Sequence, residues 1–156
     1  MKKYILLLIV LFFVFTPYLK ADRGHIYFNG GILADDSLSF DPYFWTIGSS
    51  VDLPINDSFS ISPELNAITY KMKFDTFWFE GAVLANMNFD GFFVGGGLTK
   101  WFLIMNKSSG GHTDFALKLN MGFKSKNSML KVYLITPFNA LFKKGMIVGA
   151  TVGIGF

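Results

Sequence analysis

The last twelve residues, 145–156, restrict the fold of this chain more than any other part of the sequence. Apolar side chains occupy every second position, and the positions between them are mostly glycine. The apolar positions are Met146, Val148, Ala150, Val152, Ile154 and Phe156. Successive side chains of a β-strand point to opposite faces, so a period of two indicates a strand and not a helix. The pattern therefore predicts a strand with one wholly apolar face.

Seven further segments show the same alternation. They are residues 26–33, 45–53, 59–68, 77–87, 92–105, 114–123 and 130–134. The register of 92–105 stays open, because three successive glycines at 95–97 carry no side chains to read and are a candidate β-bulge. Short predicted turns, such as Asp90-Gly91 and residues 124–128, which begin at Lys124, leave no room for crossover helices. The segments therefore predict eight strands joined as antiparallel hairpins.

The first 21 residues differ from the rest and predict a cleaved signal peptide. Lys2 and Lys3 precede an apolar run over 4–15, and the small residue Ala21 is a candidate cleavage site. The run is shorter than the ~20 residues that span a bilayer as a helix. An uncleaved anchor helix is the alternative. We therefore divide the chain into a signal peptide, 1–21, and a barrel domain, 22–156.

Composition excludes several classes of function once the signal peptide is set aside. The remaining chain carries eleven basic and eleven acidic residues, so it offers no basic surface to nucleic acid. It has no cysteine, which excludes disulfides, thiolate metal sites and lipid-modified cysteines. A hydrophobic content of 51% over the full sequence excludes intrinsic disorder.

The two faces of the predicted strands decide between a soluble sheet and a membrane barrel. One face is apolar and nearly free of charge, and the other is rich in Gly, Ser, Asn and Ala. Small polar residues suit the interior of a narrow barrel, and an apolar outer band suits lipid. We therefore predict an all-β fold, an eight-stranded antiparallel up-and-down transmembrane β-barrel. A soluble sandwich or lipocalin-like binder is the alternative. Aromatic residues near the strand ends that face the longer loops predict an interfacial belt: Tyr43, Trp45, Tyr70, Phe77, Trp101 and Phe102.

The last strand also carries a resemblance to a known family. With Phe156 at its end and Ile154 and Val152 at alternate positions before it, it resembles the C-terminal signal that the barrel-assembly machinery reads. The whole mature chain resembles the small, porin-like outer-membrane β-barrel proteins of Gram-negative bacteria. The resemblance implies an outer-membrane location, contact with outer-membrane lipid and transient binding to the assembly machinery. It identifies no activity, since many functions share this scaffold. We expect a monomer.

Six charged residues are predicted to face the barrel interior. They are Asp52, Glu64, Glu80, Asp114, Lys118 and Lys131, with Lys100 as a candidate seventh. Isolated charges in a low-dielectric interior are costly, so we expect them to pair. Together with Asn66, Asn86, Asn120 and Tyr133 they predict one hydrogen-bonded network that plugs the lumen. The alternative is a narrow path for small solutes or protons.

The sequence offers little support for catalysis. Its two histidines are His25 and His112, and His112 shares a strand face with Asp114. Ser108 lies nearby but in no recognisable nucleophile motif, and Asp114 stands where the His-x-Ser pattern of the lipid A deacylase barrels has serine. His112 and Asp114 would supply only two ligands to a metal ion, and two ligands make no closed metal site. We therefore expect a structural outer-membrane protein with no enzyme activity, no cofactor and no metal.

Overall fold

The computed structural model describes residues 24–35, 44–70, 76–105, 113–142 and 145–156. The predicted signal peptide and much of the longer loops lie outside these residues. The described residues form eight strands and one short 3-10 helix, Phe138–Ala140. The strands are β1 His25–Asp35, β2 Phe44–Asn56, β3 Phe59–Tyr70, β4 Thr76–Phe89, β5 Phe92–Met105, β6 Ala116–Lys124, β7 Ser128–Pro137 and β8 Ile147–Gly155.

Every strand pairs antiparallel with the next one in the chain, and β8 pairs with β1 to close the barrel. Gly30, for example, lies opposite Val152 across the closing pair. Closure leaves no strand edge unpaired. The predicted eight-stranded, up-and-down antiparallel barrel is therefore confirmed. In the described parts of the chain, no helix has the length and apolarity needed to cross a membrane.

The two ends of the barrel differ in their connections. At the turn end, short connections such as Asp57-Ser58 and Asp90-Gly91 join the strands. At the loop end lie the longer connections that contain residues 36–43, 71–75, 106–112 and 143–144. Asp90 and Gly91 have φ angles of 47° and 91°. Positive φ at both central residues is typical of the two-residue hairpin turn whose twist matches the strands.

The glycine triplet of β5 pairs regularly with β4. Gly95 lies opposite Asn86 and Gly97 opposite Leu84, so the bulge suggested by the triplet is wrong. A Cβ on either glycine would overlap backbone atoms of β4, so the glycines allow a close approach of the two strands. The register shift lies instead in β2, between Pro54 and Asn56, where proline has no N–H to give to the ladder.

The alternation of the sequence becomes the inside and outside of the barrel. Large apolar side chains point outward and are exposed, with Ile47 at 70%, Val152 at 62% and Val83 at 57%. The polar residues of the opposite face are buried in the interior, including Glu80 and Lys118 at 0%. This distribution is the inverse of a soluble protein, which places its apolar residues inside.

Candidate functional site

The polar interior of the barrel is the candidate functional site, and the described side chains fill it in three layers. An apolar cluster lies at the loop end and another at the turn end. The loop-end cluster is Leu33, Ile68, Tyr133 and Ile135, packed against Phe44, Trp78, Trp101, Ala116 and Ile147. The turn-end cluster is Tyr27, Phe93 and Met129. Charged and amide side chains occupy the space between them.

Four charged residues form the middle layer, which we call the charged quartet: Glu64, Glu80, Lys118 and Lys131. Lys118 Nζ donates to Glu64 Oε2 at 2.9 Å and to Glu80 Oε1 at 2.7 Å. Lys131 Nζ donates to the other oxygen of Glu64. None of the four side chains is more than 3% exposed. Two acids and two lysines leave the quartet neutral, and its members come from β3, β4, β6 and β7, so it ties these strands together across the lumen.

Neutral groups complete the surroundings of the quartet. Asn66 Nδ2 donates to Glu80 Oε2 at 2.9 Å, and Thr99 Oγ1 donates to Glu80 Oε1 at 2.9 Å. The ammonium group of Lys118 lies 4.3 Å from the centre of the Tyr133 ring. Buried charges are tolerated only where hydrogen bonds and opposite charges replace the lost water, and the quartet meets that condition.

A second ion pair lies closer to the turn end. Lys124 Nζ is 2.6 Å from Asp52 Oδ2, and the two side chains are 15% and 11% exposed. Asp52 Oδ1 accepts a hydrogen bond from Ser62 Oγ, which accepts one from Asn86 Nδ2. Asn120 Nδ2 in turn donates to Asn86 Oδ1 at 3.1 Å. In the described residues Asp52 thus belongs to a pair separate from the quartet, and the single network expected from the sequence is wrong.

Two of the candidate interior charges lie elsewhere. Asp114 is exposed and precedes β6, which begins at Ala116, so its predicted place in the lumen is wrong. The alternating sequence pattern extends back to Asp114, two residues before the hydrogen-bonded strand begins at Ala116. Lys100 faces outward, next to the inward-facing Thr99, with its Nζ 4.8 Å from the centre of the Phe115 ring.

Lys124 is a charged interior residue that the sequence analysis missed. It was assigned to a turn, although it continues the inward-facing row of Lys118, Asn120 and Gly122 by one further step of two. Trp101 was expected in an interfacial belt and lies in the lumen, 6.5 Å from Trp78 between ring centres. The inward orientation of both residues follows from the strand register.

Two of the inward glycines of β8 lie against aromatic rings. A Cβ on Gly149 would overlap the ring of Tyr133, and one on Gly155 would come within 2.9 Å of the Tyr27 ring. The glycines therefore make room for these rings and do not leave an open channel beside them.

One small cavity lies between the quartet and the turn-end cluster. Its volume of about 10 Å³ is close to the smallest space that holds one water molecule. It is lined by Tyr27, Ser50, Asp52, Ser62, Glu64, Asn86, Phe93, Asn120, Lys124, Met129 and Lys131. Buried Asn120 Oδ1 has no hydrogen-bond partner among the described residues, and a water molecule here would supply one.

The other predicted residues fall into two groups. The residues of the predicted assembly signal, Val152, Ile154 and Phe156, are outward-facing and exposed at 62%, 63% and 76%. His112 and Ser108 lie outside the described residues. Among the residues that are described, no group of three His, Cys, Asp or Glu side chains is arranged to hold a metal ion.

Comparison with known proteins gives limited information. No protein-family model and no curated protein matches the chain in sequence. Two crystal structures of Ail, the attachment invasion locus protein of Yersinia pestis, are similar over 85% of this chain. The complex of Ail with the heparin analogue sucrose octasulfate has a TM-score of 0.41 at 9% identity and is covered over 97% of its length. The other has a TM-score of 0.36 at 11% identity and is covered over 93%. At these values the similarity establishes neither a shared family nor a shared function.

Proposed function

We propose that this chain is an integral outer-membrane β-barrel protein with a structural, non-catalytic role and a lumen closed by its own side chains. The observation that carries the proposal is the inverted polarity of the closed barrel. Ile47 and Val152 are exposed on its outside, whereas the charged quartet is buried inside it.

Membrane insertion accounts for the outer surface. Soluble monomers rarely expose large continuous apolar patches, and this barrel exposes apolar side chains on all eight described strands. The strands have 9 to 14 residues, which suits the ~9–11 residues of a tilted membrane strand. The predicted signal peptide, 1–21, supplies the export route to the outer membrane. Outer-membrane lipid and, during biogenesis, the barrel-assembly machinery are the proposed partners of a monomeric barrel.

The filling of the lumen supports a structural role over transport. An eight-stranded barrel has an interior just wide enough for its side chains. Here a neutral quartet lies between two apolar clusters, so a solute would have to displace a layer of each kind. The runner-up, a narrow pore for small solutes, requires these layers to move.

Gel mobility tests the membrane-barrel proposal. Closed membrane barrels commonly stay folded in SDS until they are heated. We expect the protein in the outer-membrane fraction, without its first 21 residues, and with a band that shifts on boiling. A soluble periplasmic protein without a heat shift would contradict the proposal and would favour a lipocalin-like binder.

Conductance of the purified barrel in planar bilayers tests the closed lumen. We expect no lasting current steps from the wild type. Lasting steps that change in Glu80→Gln or Lys118→Met would favour the pore. An enzyme would instead release altered outer-membrane lipid, and His112→Ala would abolish that release.

A further inference from the structure

Lys100 is a cation on the outer face of the described strands. Among the outward-facing positions of the described strands, Lys100 alone has a charged side chain. The alternation of β5 fixes its direction, because its neighbour Thr99 is 1% exposed and donates to Glu80 inside the lumen. Lys100 also forms no ion pair with a carboxylate of the described residues. Its charge is therefore open to an anionic partner from outside the described residues.

Aromatic rings surround this lysine on the loop-end side of the barrel. Its Nζ lies 4.8 Å from the centre of the Phe115 ring and 5.8 Å from that of Phe102. Ala116 pairs with Thr99 and with Pro137, so Lys100, Phe115 and Phe138 follow one another around the rim. The three phenylalanines are 45% to 56% exposed. Ring faces attract an ammonium group without using its N–H donors, so the donors stay available to an acceptor.

On the other side of Lys100, Gly81 leaves open space on the outer surface, which we call the notch. Gly81 of β4 is its direct neighbour across the strand pair. A Cβ built on Gly81 meets no other heavy atom within 4 Å, so this position is open. Further toward the turn end, Val83 and Leu98 lie opposite each other and are 57% and 49% exposed. A cation at the rim above an apolar notch matches an anionic head group attached to an apolar chain.

We propose that Lys100 binds the phosphate group of a phosphorylated glycolipid of the outer leaflet, with an acyl chain of that lipid against Gly81. The inference rests on the proposed membrane location and names the lipid chemistry that this surface selects. Lysine side chains near a membrane interface extend toward the head groups, where phosphates provide anionic acceptors. A compact ammonium group binds phosphate as a point charge, and a charge-assisted hydrogen bond favours the pair.

Native mass spectrometry of the detergent-solubilised, heat-shifting barrel tests the inference. The probes are diphosphoryl lipid A and lipid A from which phosphate has been removed. We expect the wild type to retain the phosphorylated probe about tenfold more strongly than Lys100→Gln does, the effect of losing one charge-assisted hydrogen bond. The dephosphorylated probe should bind the two proteins equally. The wild type is compared with a Lys100 variant because the loop segments 71–75, 106–112 and 143–144 contain further lysines, which could also retain the phosphorylated probe.

Two further variants control the result. Lys126→Gln removes an exposed lysine of the turn end and should leave retention of both probes unchanged. Gly81→Leu fills the notch, and its Cβ meets no other atom. It should therefore weaken the retention of both probes, with or without phosphate. Lys100→Arg keeps the charge and should keep the preference for phosphate.

The outcomes separate this inference from the proposed function. Equal retention of diphosphoryl lipid A by the wild type and Lys100→Gln, both with a heat shift, overturns the lipid site and leaves the membrane barrel intact. A wild type without a heat shift or a place in the outer membrane overturns both. If Lys100→Gln alone lost its heat shift, Gly81→Leu and Lys100→Arg would decide the inference. Weaker retention of both probes by Gly81→Leu, with the phosphate preference kept by Lys100→Arg, would support it. Wild-type retention of both probes by Gly81→Leu would overturn it.

Discussion

At the scale of single residues, the buried lysines and glutamates show how this closed barrel holds charge in its interior. Each charge loses water, and each regains an opposite charge and a hydrogen bond, as Lys118 does between Glu64 and Glu80. Such a group stabilises the fold only while all of its members are present. Removing Lys118, for example, leaves Glu80 buried without an opposite charge.

Lys118→Met is therefore expected to destabilise the barrel. Glu64 would keep Lys131, but Glu80 would lose its only lysine among the described residues, and we expect a loss of about 3–5 kcal/mol in the free energy of unfolding. Urea unfolding of the protein in lipid vesicles, followed by tryptophan fluorescence, measures this loss. The exposed turn residue gives a matched control, Lys126→Met, which should stay within about 0.5 kcal/mol.

A second substitution tests whether the unpaired charge is the cause. Adding Glu80→Gln to Lys118→Met removes the carboxylate that has lost its partner. The double variant should therefore be more stable than Lys118→Met alone. Simple addition of the two single losses would instead predict a less stable protein. Strict addition of the two losses would contradict an electrostatic origin.

Two glycines on opposite faces provide a further comparison at this scale. Gly149→Ala places a methyl group on the ring of Tyr133 inside the lumen, whereas Gly81→Ala places one in open space outside. We expect Gly149→Ala to destabilise by about 1–3 kcal/mol through overpacking, and Gly81→Ala to cost nothing measurable. The same unfolding assay compares them. Equal effects would mean that Tyr133 does not occupy the space beside Gly149.

At the scale of the elements, period-two alternation predicted all eight strands and, apart from β5, the direction of most of their side chains. It succeeded because most strands have apolar residues on the outer face and mainly polar or small residues on the inner face, a pattern that a one-residue slip would reverse. It failed at strand ends. Asp114 keeps the alternation before the ladder of β6 begins at Ala116, and Lys124 keeps it inside a predicted turn.

The candidate site was predictable as a set of inward-facing charges, but its pairing was not. Partners such as Lys131 and Glu64 are 67 positions apart, and their contact depends on how the strands stagger around the barrel. The stagger of a closed barrel is linked to strand tilt and number, which no single strand reveals. The glycine triplet of β5 was unreadable for a local reason, since it carries no side chains.

The β4–β5 hairpin supplies a prediction at this scale. Gly91 has a φ of 91°, a conformation that a β-branched residue adopts only with strain. Gly91→Val should therefore cost about 1–3 kcal/mol and slow insertion of the refolded protein into vesicles. The heat-shifted fraction on gels, measured over time, reports that rate. Asp90→Asn keeps a residue that tolerates positive φ and should behave as the wild type.

At the scale of the whole molecule, the proposed barrel has a lipid-facing outside and an inside that is closed by several layers of side chains. Removing one layer should not open the lumen. Phe93→Ala thins the turn-end cluster, yet the quartet and the loop-end cluster remain. We expect planar bilayers containing this variant to stay as resistive as those with the wild type. Stepwise current from Phe93→Ala would show that the turn-end cluster alone closes the lumen.

The orientation of the apolar face is the central claim, and a spin label measures it directly. The chain has no native cysteine, so single cysteines at Val83 and Val152, both more than half exposed, can carry the label in vesicles. Asp57, exposed in a turn, serves as the aqueous reference. The account predicts that oxygen, which dissolves in lipid, relaxes the labels at Val83 and Val152, whereas an aqueous nickel chelate relaxes only the label at Asp57. Relaxation of the Val83 and Val152 labels by the nickel chelate would mean that water covers this face, and it would contradict the membrane barrel.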